Sequence, residues 1–135
     1  MIRIVTESMS DFTQEEAKAA DLIVMPLPIR FGMEEYWDDG VSLTQDDFYA
    51  RLRVAKELPK TSQVPVEHYR KCFNRLLENP EDEVLVITGS SKLSGCYQSA
   101  CIAREACHDP ARVTVLDSLN ATCAEYMLVD QALRY

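Results

Sequence analysis

The chain has 135 residues, 47% hydrophobic and 27% charged, enough to bury one core and too few for two ordinary domains, so residues 1–135 are expected to form one globular domain. A formal net charge of -8 repels phosphate backbones and anionic lipid surfaces alike, and no basic run offsets it; nucleic-acid binding and stable membrane insertion are excluded from the expected functions. Glu7 interrupts the amino terminus before a signal-peptide apolar core forms, and no apolar stretch approaches the ~20 residues of a membrane span, so the expected location is cytoplasmic.

The first β-branched run, residues 2–6, predicts a strand. Thr13-Gln14-Glu15-Glu16 has the form of a capping box that starts a helix, the Thr13 hydroxyl reaching forward and Glu16 reaching back. Residues 22–29 form a second strand-like run. Residues 31–43 are irregular: Met33 to Trp37, followed by Asp38-Asp39-Gly40, predicts an extended arm or an edge hairpin turning on Asp-Gly. Thr44-Gln45-Asp46-Asp47 is a weaker cap. Leu58-Pro59-Lys60-Thr61-Ser62-Gln63-Val64-Pro65 reads as a loop held extended by its prolines. Pro65 suits a first helical position, and Val66, Tyr69, Phe73 and Leu76 then make one apolar face.

Val84-Leu85-Val86-Ile87 has no polar alternation, as expected of a strand covered on both faces within a parallel sheet. From Ser94 a helix is expected, its small face made by Tyr97, Ala100, Cys101 and Cys107. Residues 113–116 predict another strand. Ala121, Ala124, Met127, Leu128, Ala132 and Leu133 predict an amphipathic helix that runs to Tyr135 without a cap and reads as interrupted rather than finished. The order of elements predicts a three-layer α/β/α domain around a mainly parallel sheet, with no internal repeat.

Residues 88–99 are the sharpest chemical feature: a buried strand passes through Gly89-Ser90-Ser91-Lys92-Leu93-Ser94-Gly95 into a helix. Ligands sit at the carboxyl ends of parallel strands, and a helix amino terminus there presents unpaired amides to an anion. Ser94 caps the helix, donates to a ligand oxygen, or does both. A phosphate-binding P-loop fails on the residues, since Cys96-Tyr97 stands where Lys-Ser/Thr is needed. A nucleophile elbow fails as well, because Gly89-Ser90-Ser91-Lys92-Leu93 is not G-x-S-x-G. Cys96, in the first turn of the expected helix, is either a thiol of lowered pKa or a small residue beside a pocket. Thr61 and Ser62 either satisfy local backbone groups or face a ligand from their stiffened loop. The cysteines Cys72, Cys96, Cys101, Cys107 and Cys123 are odd in number and form no C-x-x-C pair; they are expected to be reduced core thiols, and only His68 and His108 exist to join them, so no metal site is assigned. No catalytic residue is assigned.

Several segments, in order, resemble the DegV family. Thr6-Glu7-Ser8-Met9-Ser10-Asp11-Phe12 is similar to its opening T-D-S-T-S-D-L, and Met25-Pro26-Leu27, Phe31-Gly32 and Asp39-Gly40-Val41 to its next block. Leu58 to Gln63 resembles L-P-K-T-S-Q, and residues 90–100 resemble S-S-x-L-S-G-T-Y-Q-S-A. Val113-Thr114-Val115-Leu116-Asp117-Ser118 fits the following strand. The resemblance implies the N-terminal α/β domain of a DegV-like fold and a lipid-binding protein rather than an enzyme. Its ligand would be a long-chain fatty acid such as palmitate, with no other cofactor, and its role would lie in lipid transport or fatty acid metabolism. It would present the acyl carboxylate to a separate fatty acid kinase subunit. Position by position, it assigns head-group hydrogen bonds to Thr61 and Ser94, with Ser62 and Gly95 as close neighbours and Phe31 along the tail.

Three positions depart from the family pattern: Glu7 replaces an Asp, Cys96 replaces a Thr hydroxyl, and residues 120–123 lack the small Ser/Gly pattern. Family members are about twice as long, and their second domain, which lies outside this sequence, supplies the other tunnel wall. A half-tunnel is expected to bind weakly and to invite self-association. Two alternatives stand beside this reading: a truncated domain that binds no ligand, and an enzyme acting on a small phosphorylated molecule.

Overall fold

The computed structural model describes residues 1–135. In chain order the elements are β1 (Ile2–Glu7), α1 (Gln14–Ala19), β2 (Ile23–Met25), β3 (Pro28–Phe31), β4 (Glu34–Trp37), α2 (Gln45–Val54), β5 (Lys60–Thr61), α3 (Val66–Leu76), β6 (Glu83–Thr88), α4 (Cys96–Glu105), β7 (Val113–Asp117) and α5 (Thr122–Leu133). Four strands form one sheet in the order β2-β1-β6-β7, every pair parallel. The unalternating apolar runs of β1 and β6 are explained by their central places, where both faces are covered.

On one face, Tyr69 and Phe73 of α3 and Ala100 and Ala103 of α4 pack against Val5, Val84 and Val86. On the other, Ala17 of α1 and Val129 of α5 pack against Ile4 and Ile87. The domain is therefore the expected three-layer α/β/α sandwich. All four sheet strands end on one rim, at Glu7, Met25, Thr88 and Asp117. The opposite rim is tied by Arg112, whose guanidinium donates to the carbonyls of Leu77 at 3.0 Å and Asp82 at 2.9 Å and pairs with Asp109 at 2.8 Å.

Both anticipated caps form. Thr13 Oγ1 accepts the Glu16 N–H at 3.2 Å while Glu16 Oε2 accepts the Thr13 N–H at 2.8 Å, completing the capping box. Thr44 Oγ1 accepts the Asp47 N–H at 3.2 Å.

The structure corrects three local expectations. The run 22–29 is two strands in different sheets: Pro26 and Pro28 lack the N–H that a ladder needs, so β2 ends at Met25 and the chain crosses to a second sheet. That three-stranded sheet, ordered β4-β3-β5 and antiparallel, converts the anticipated loop at Lys60-Thr61 into an edge strand. A hairpin does form at residues 28–37, but it turns on Gly32-Met33, with Gly32 at φ 60°, because Phe31 pairs with Glu34. Asp39 instead folds the following bend, accepting the N–H groups of Val41 at 2.8 Å and Ser42 at 2.7 Å.

The buried helix faces are also rotated from expectation. In α4 they are Cys96, Ser99, Ala100 and Ala103, with Tyr97 and Cys101 only half-buried. In α5 they are Glu125 and Val129, and Met127 and Leu128 face outward.

Candidate functional site

The carboxyl rim gathers the polar turns. Leaving β6, Gly89 passes so close to its neighbours that an added Cβ would lie 2.6 Å from Met9 Sδ and 2.9 Å from Glu7 Oε1. Any side chain there would require Met9 and Glu7 to move. Ser90 anchors the turn that follows: its carbonyl accepts the N–H groups of Leu93 at 2.9 Å and Ser94 at 3.0 Å, and its own N–H donates to the Asn120 carbonyl at 2.7 Å. Asp117 Oδ1, at the end of β7, accepts the N–H groups of Ser91 at 3.2 Å and Leu119 at 2.9 Å. Burial works against its charge, yet these donors and the Ser91 hydroxyl hold the Asp117 carboxyl below its ordinary value.

Helix α4 starts at Cys96, two residues later than anticipated, with Gly95 in the cap position. Ser94 Oγ accepts the Cys96 N–H at 3.2 Å. Its hydroxyl proton is then free to be donated, so capping and ligand donation are compatible in one side chain. The N–H groups of Gly95, Tyr97 and Gln98 make no hydrogen bond within the chain. The turn thus offers one hydroxyl and several backbone donors at the positive end of a helix.

Thr61 ends β5 beside Ile29, and the Ser62 N–H donates to the Pro28 carbonyl at 3.3 Å. Both residues are exposed, and neither hydroxyl is used within the chain. The segment is brought to the serine turn by two contacts. The Val64 N–H donates to Cys96 Sγ at 3.4 Å, and the Gln63 side chain lies 3.1 Å from where a Cβ on Gly95 would stand. Residues 63 and 64 therefore meet the turn that carries Ser94 and Gly95, and Thr61 and Ser62 lie just before that junction with their hydroxyls exposed. Phe31 does not join them; it stacks edge-on with Phe48 at 5.7 Å between centroids and lines an open groove of about 370 Å³ with Gly32, Arg51 and Val54.

Cys96 itself is fully buried, its sulfur serving as an acceptor between the two segments. Burial pushes the thiol pKa up, opposite to what a reactive cysteine requires. The five cysteines are all unpaired, Cys72, Cys96 and Cys107 being buried. No group of His, Cys, Asp or Glu side chains is arranged to hold a metal ion. No helix is long and apolar enough to cross a membrane.

Beneath the turn lies a pair the sequence reading missed. Glu7 Oε1 accepts the Gly89 N–H at 2.7 Å, and Glu125 Oε1 accepts the Thr6 hydroxyl at 3.2 Å. Both glutamates are fully buried. Burial raises the pKa of each, and the neighbouring Glu7 carboxyl adds to the shift at Glu125. Glu125 was hidden because Ala124, Met127 and Leu128 compose a plausible apolar stripe; the i, i+4 step from Glu125 to Val129 is the signal that marks the true inner face. The carboxylate that organises the turns, Asp117, stood in plain view where a strand gives way to Ser118 and Asn120.

A three-layer sandwich whose carboxyl rim carries hydroxyl-bearing turns and unpaired helix amides has the layout in which α/β folds commonly place ligand sites. The family model for DegV, described as a family of uncharacterised proteins, matches residues 1–135. The chain belongs to the DegV family. It is 39% identical over 133 residues to a DegV domain-containing protein of Caldanaerobacter subterraneus, covering 98% of this chain and 46% of that one. It is 35% identical over 130 residues to a fatty acid-binding protein of Thermotoga maritima, covering 91% and 42% respectively. Among solved structures, the stearic acid-binding protein of Eubacterium ventriosum superposes with a TM-score of 0.90 at 32% identity, covering 99% of this chain and 47% of that chain. The chain spans about half the length of the curated relatives it matches.

Proposed function

We propose that this chain binds the carboxylate of a long-chain fatty acid, such as palmitate, at the corner formed by Thr61, Ser62, Ser94 and Gly95, without catalysis of its own. The observation that carries the reading is the unspent donor set. The hydroxyls of Thr61 and Ser94 and the N–H groups of Gly95, Tyr97 and Gln98 donate to nothing within the chain, and the Val64–Cys96 and Gln63–Gly95 contacts join the two segments that carry them. Relatives of the same fold that bind fatty acids support the choice of anion. The proposal extends to a cytoplasmic role in lipid transport or fatty acid metabolism, with the carboxylate presented to a separate kinase subunit.

Burying a palmitate-like tail is worth on the order of 10 kcal/mol at ~0.8 kcal/mol per methylene, whereas each hydrogen bond to the charged head contributes about 1.5–3 kcal/mol. The tail sets affinity and the head sets register. In the DegV arrangement that the sequence resembles, the tail lies between two domains, so residues 1–135 alone would bind weakly, or would cover the tail by self-association. The test is lipid extraction from the purified chain, before and after exposure to oleate, followed by mass spectrometry. Recovery of acyl chains, reduced in Thr61→Ala/Ser94→Ala, is the expected result. No acyl chain in either sample, together with a melting temperature raised by inorganic phosphate, would refute the proposal and favour a phosphate ligand.

A further inference from the structure

The rim holds two acids that the proposed head-group contacts do not use. Glu7, at the end of β1, and Glu125, in the first turn of α5, are both fully buried, and a carboxyl oxygen of each comes within 2.9 and 3.1 Å, respectively, of the same point, the Cβ position above Gly89. Each has one oxygen satisfied, by the Gly89 N–H and the Thr6 hydroxyl respectively. The other oxygen of each, Oε2, is buried and has no donor. Two ionised carboxylates in that setting would carry two uncompensated charges in a low-dielectric site.

The surroundings supply no cation. Asp11 approaches from the turn after β1, the Tyr69 hydroxyl from α3 and the Cys96 thiol from α4. Tyr69 is itself buried, and its hydroxyl has no partner. One proton shared by the two carboxyls gives one acid a donor and the other an acceptor, and leaves a single negative charge beside the Gly89 N–H.

We infer that Glu7 and Glu125 share one proton and together act as a positioning pair for the 89–95 turn, so that the turn keeps its ligand geometry only while that proton is present. The inference rests on the proposed head-group site for its ligand consequence and on the geometry alone for the proton. Gly89 is the root of the turn, and its N–H is fixed by Glu7, so the pair joins β1, α5 and the turn at one point. Loss of the proton places a second negative charge beside Gly89, loosens that junction and adds repulsion toward any bound carboxylate.

The test compares wild type with Glu125→Gln, whose amide donates to Glu7 and accepts from Thr6 as the protonated acid does. Infrared spectroscopy at about pH 7 should show one protonated carboxyl in wild type and none in Glu125→Gln. Amide exchange at Gly89 and Ser90, compared between the two proteins at equal pH so that intrinsic rates cancel, should accelerate above about pH 9 in wild type only. Oleate affinity should fall about tenfold between about pH 7 and pH 10 in wild type and remain nearly constant in the variant. Absence of the protonated carboxyl overturns the proton sharing. Exchange and oleate affinity that respond to pH equally in both proteins overturn the positioning role. Failure of wild type to take up oleate at any pH refutes the fatty-acid reading instead, while the infrared and exchange results still decide the inference.

Discussion

The two segments that frame the proposed head-group corner are held in different ways. The 89–95 turn is rooted in the sandwich: Glu7 takes the Gly89 N–H, Asn120 takes the Ser90 N–H and Asp117 takes the Ser91 N–H. Thr61 belongs to a two-residue edge strand that meets the rest of the fold through β3 and through one N–H···S contact to Cys96. The first is a fixed wall. The second is an adjustable one, since short edge pairing is worth little and sulfur is a weak, polarisable acceptor. A site built this way can grip an anion at one side and adapt at the other.

The largest test of that contrast is Gly89→Ala. The added methyl meets Met9, Glu7 and Glu125 at once, and a loss of about 3 kcal/mol in urea unfolding is expected from overpacking and the disturbed Glu7 bond. A change under about 1 kcal/mol would show that the wall is soft after all.

Next comes the pH dependence of stability. The Glu125 carboxyl is raised from an ordinary 4.5 to about 9, by burial first and by Glu7 second. Its proton is held more tightly folded than unfolded, so its contribution is complete below 4.5 and is lost as pH rises towards about 9. The melting temperature of wild type should therefore fall across that window relative to Glu125→Gln; parallel curves would contradict it.

Cys96→Ala removes the acceptor that links the two segments and leaves the buried Val64 N–H unpaired. A cost of about 2 kcal/mol is expected, with Cys96→Ser recovering part of it. Equal stability of both variants would show that the sulfur bridges nothing. Smallest is Thr61→Ala, whose hydroxyl has no partner in the chain: stability should stay within about 0.5 kcal/mol, while fatty-acid affinity drops as much as in Ser94→Ala. A larger stability loss would mean that Thr61 serves the fold.

Much of this arrangement could be read from residues alone, where periodicity and physical role coincide. Val84 to Thr88 had to be an inner parallel strand, and Thr13 and Glu16 had to close a capping box. Reading failed where tertiary context outweighed local pattern. The apolar run after Leu22 is broken between sheets by two prolines, and the pairing of β5 depends on β3, thirty residues away in the chain. Residues 121–133 contain two apolar stripes, and the one that faces the core carries Glu125, which a polarity pattern assigns to solvent. The departure of Glu7 from the family's Asp was visible; its buried partner was not. Of the proposed site, Ser94 and Gly95 follow from strand-to-helix logic, whereas the approach of Thr61 depends on Cys96 and Gln63 side chains that no spacing rule reports.

Arg112 gives the molecule a second, separate use. Its guanidinium gathers carbonyls from the end of α3 and the approach to β6, on the rim opposite the 89–95 turn. A substitution there should shorten the lifetime of the folded chain while leaving the turn chemistry intact. That far rim is accordingly the place to attach a fluorophore or a surface tether, and Arg112 is the residue by which to tune how long the chain survives without altering the proposed head-group corner.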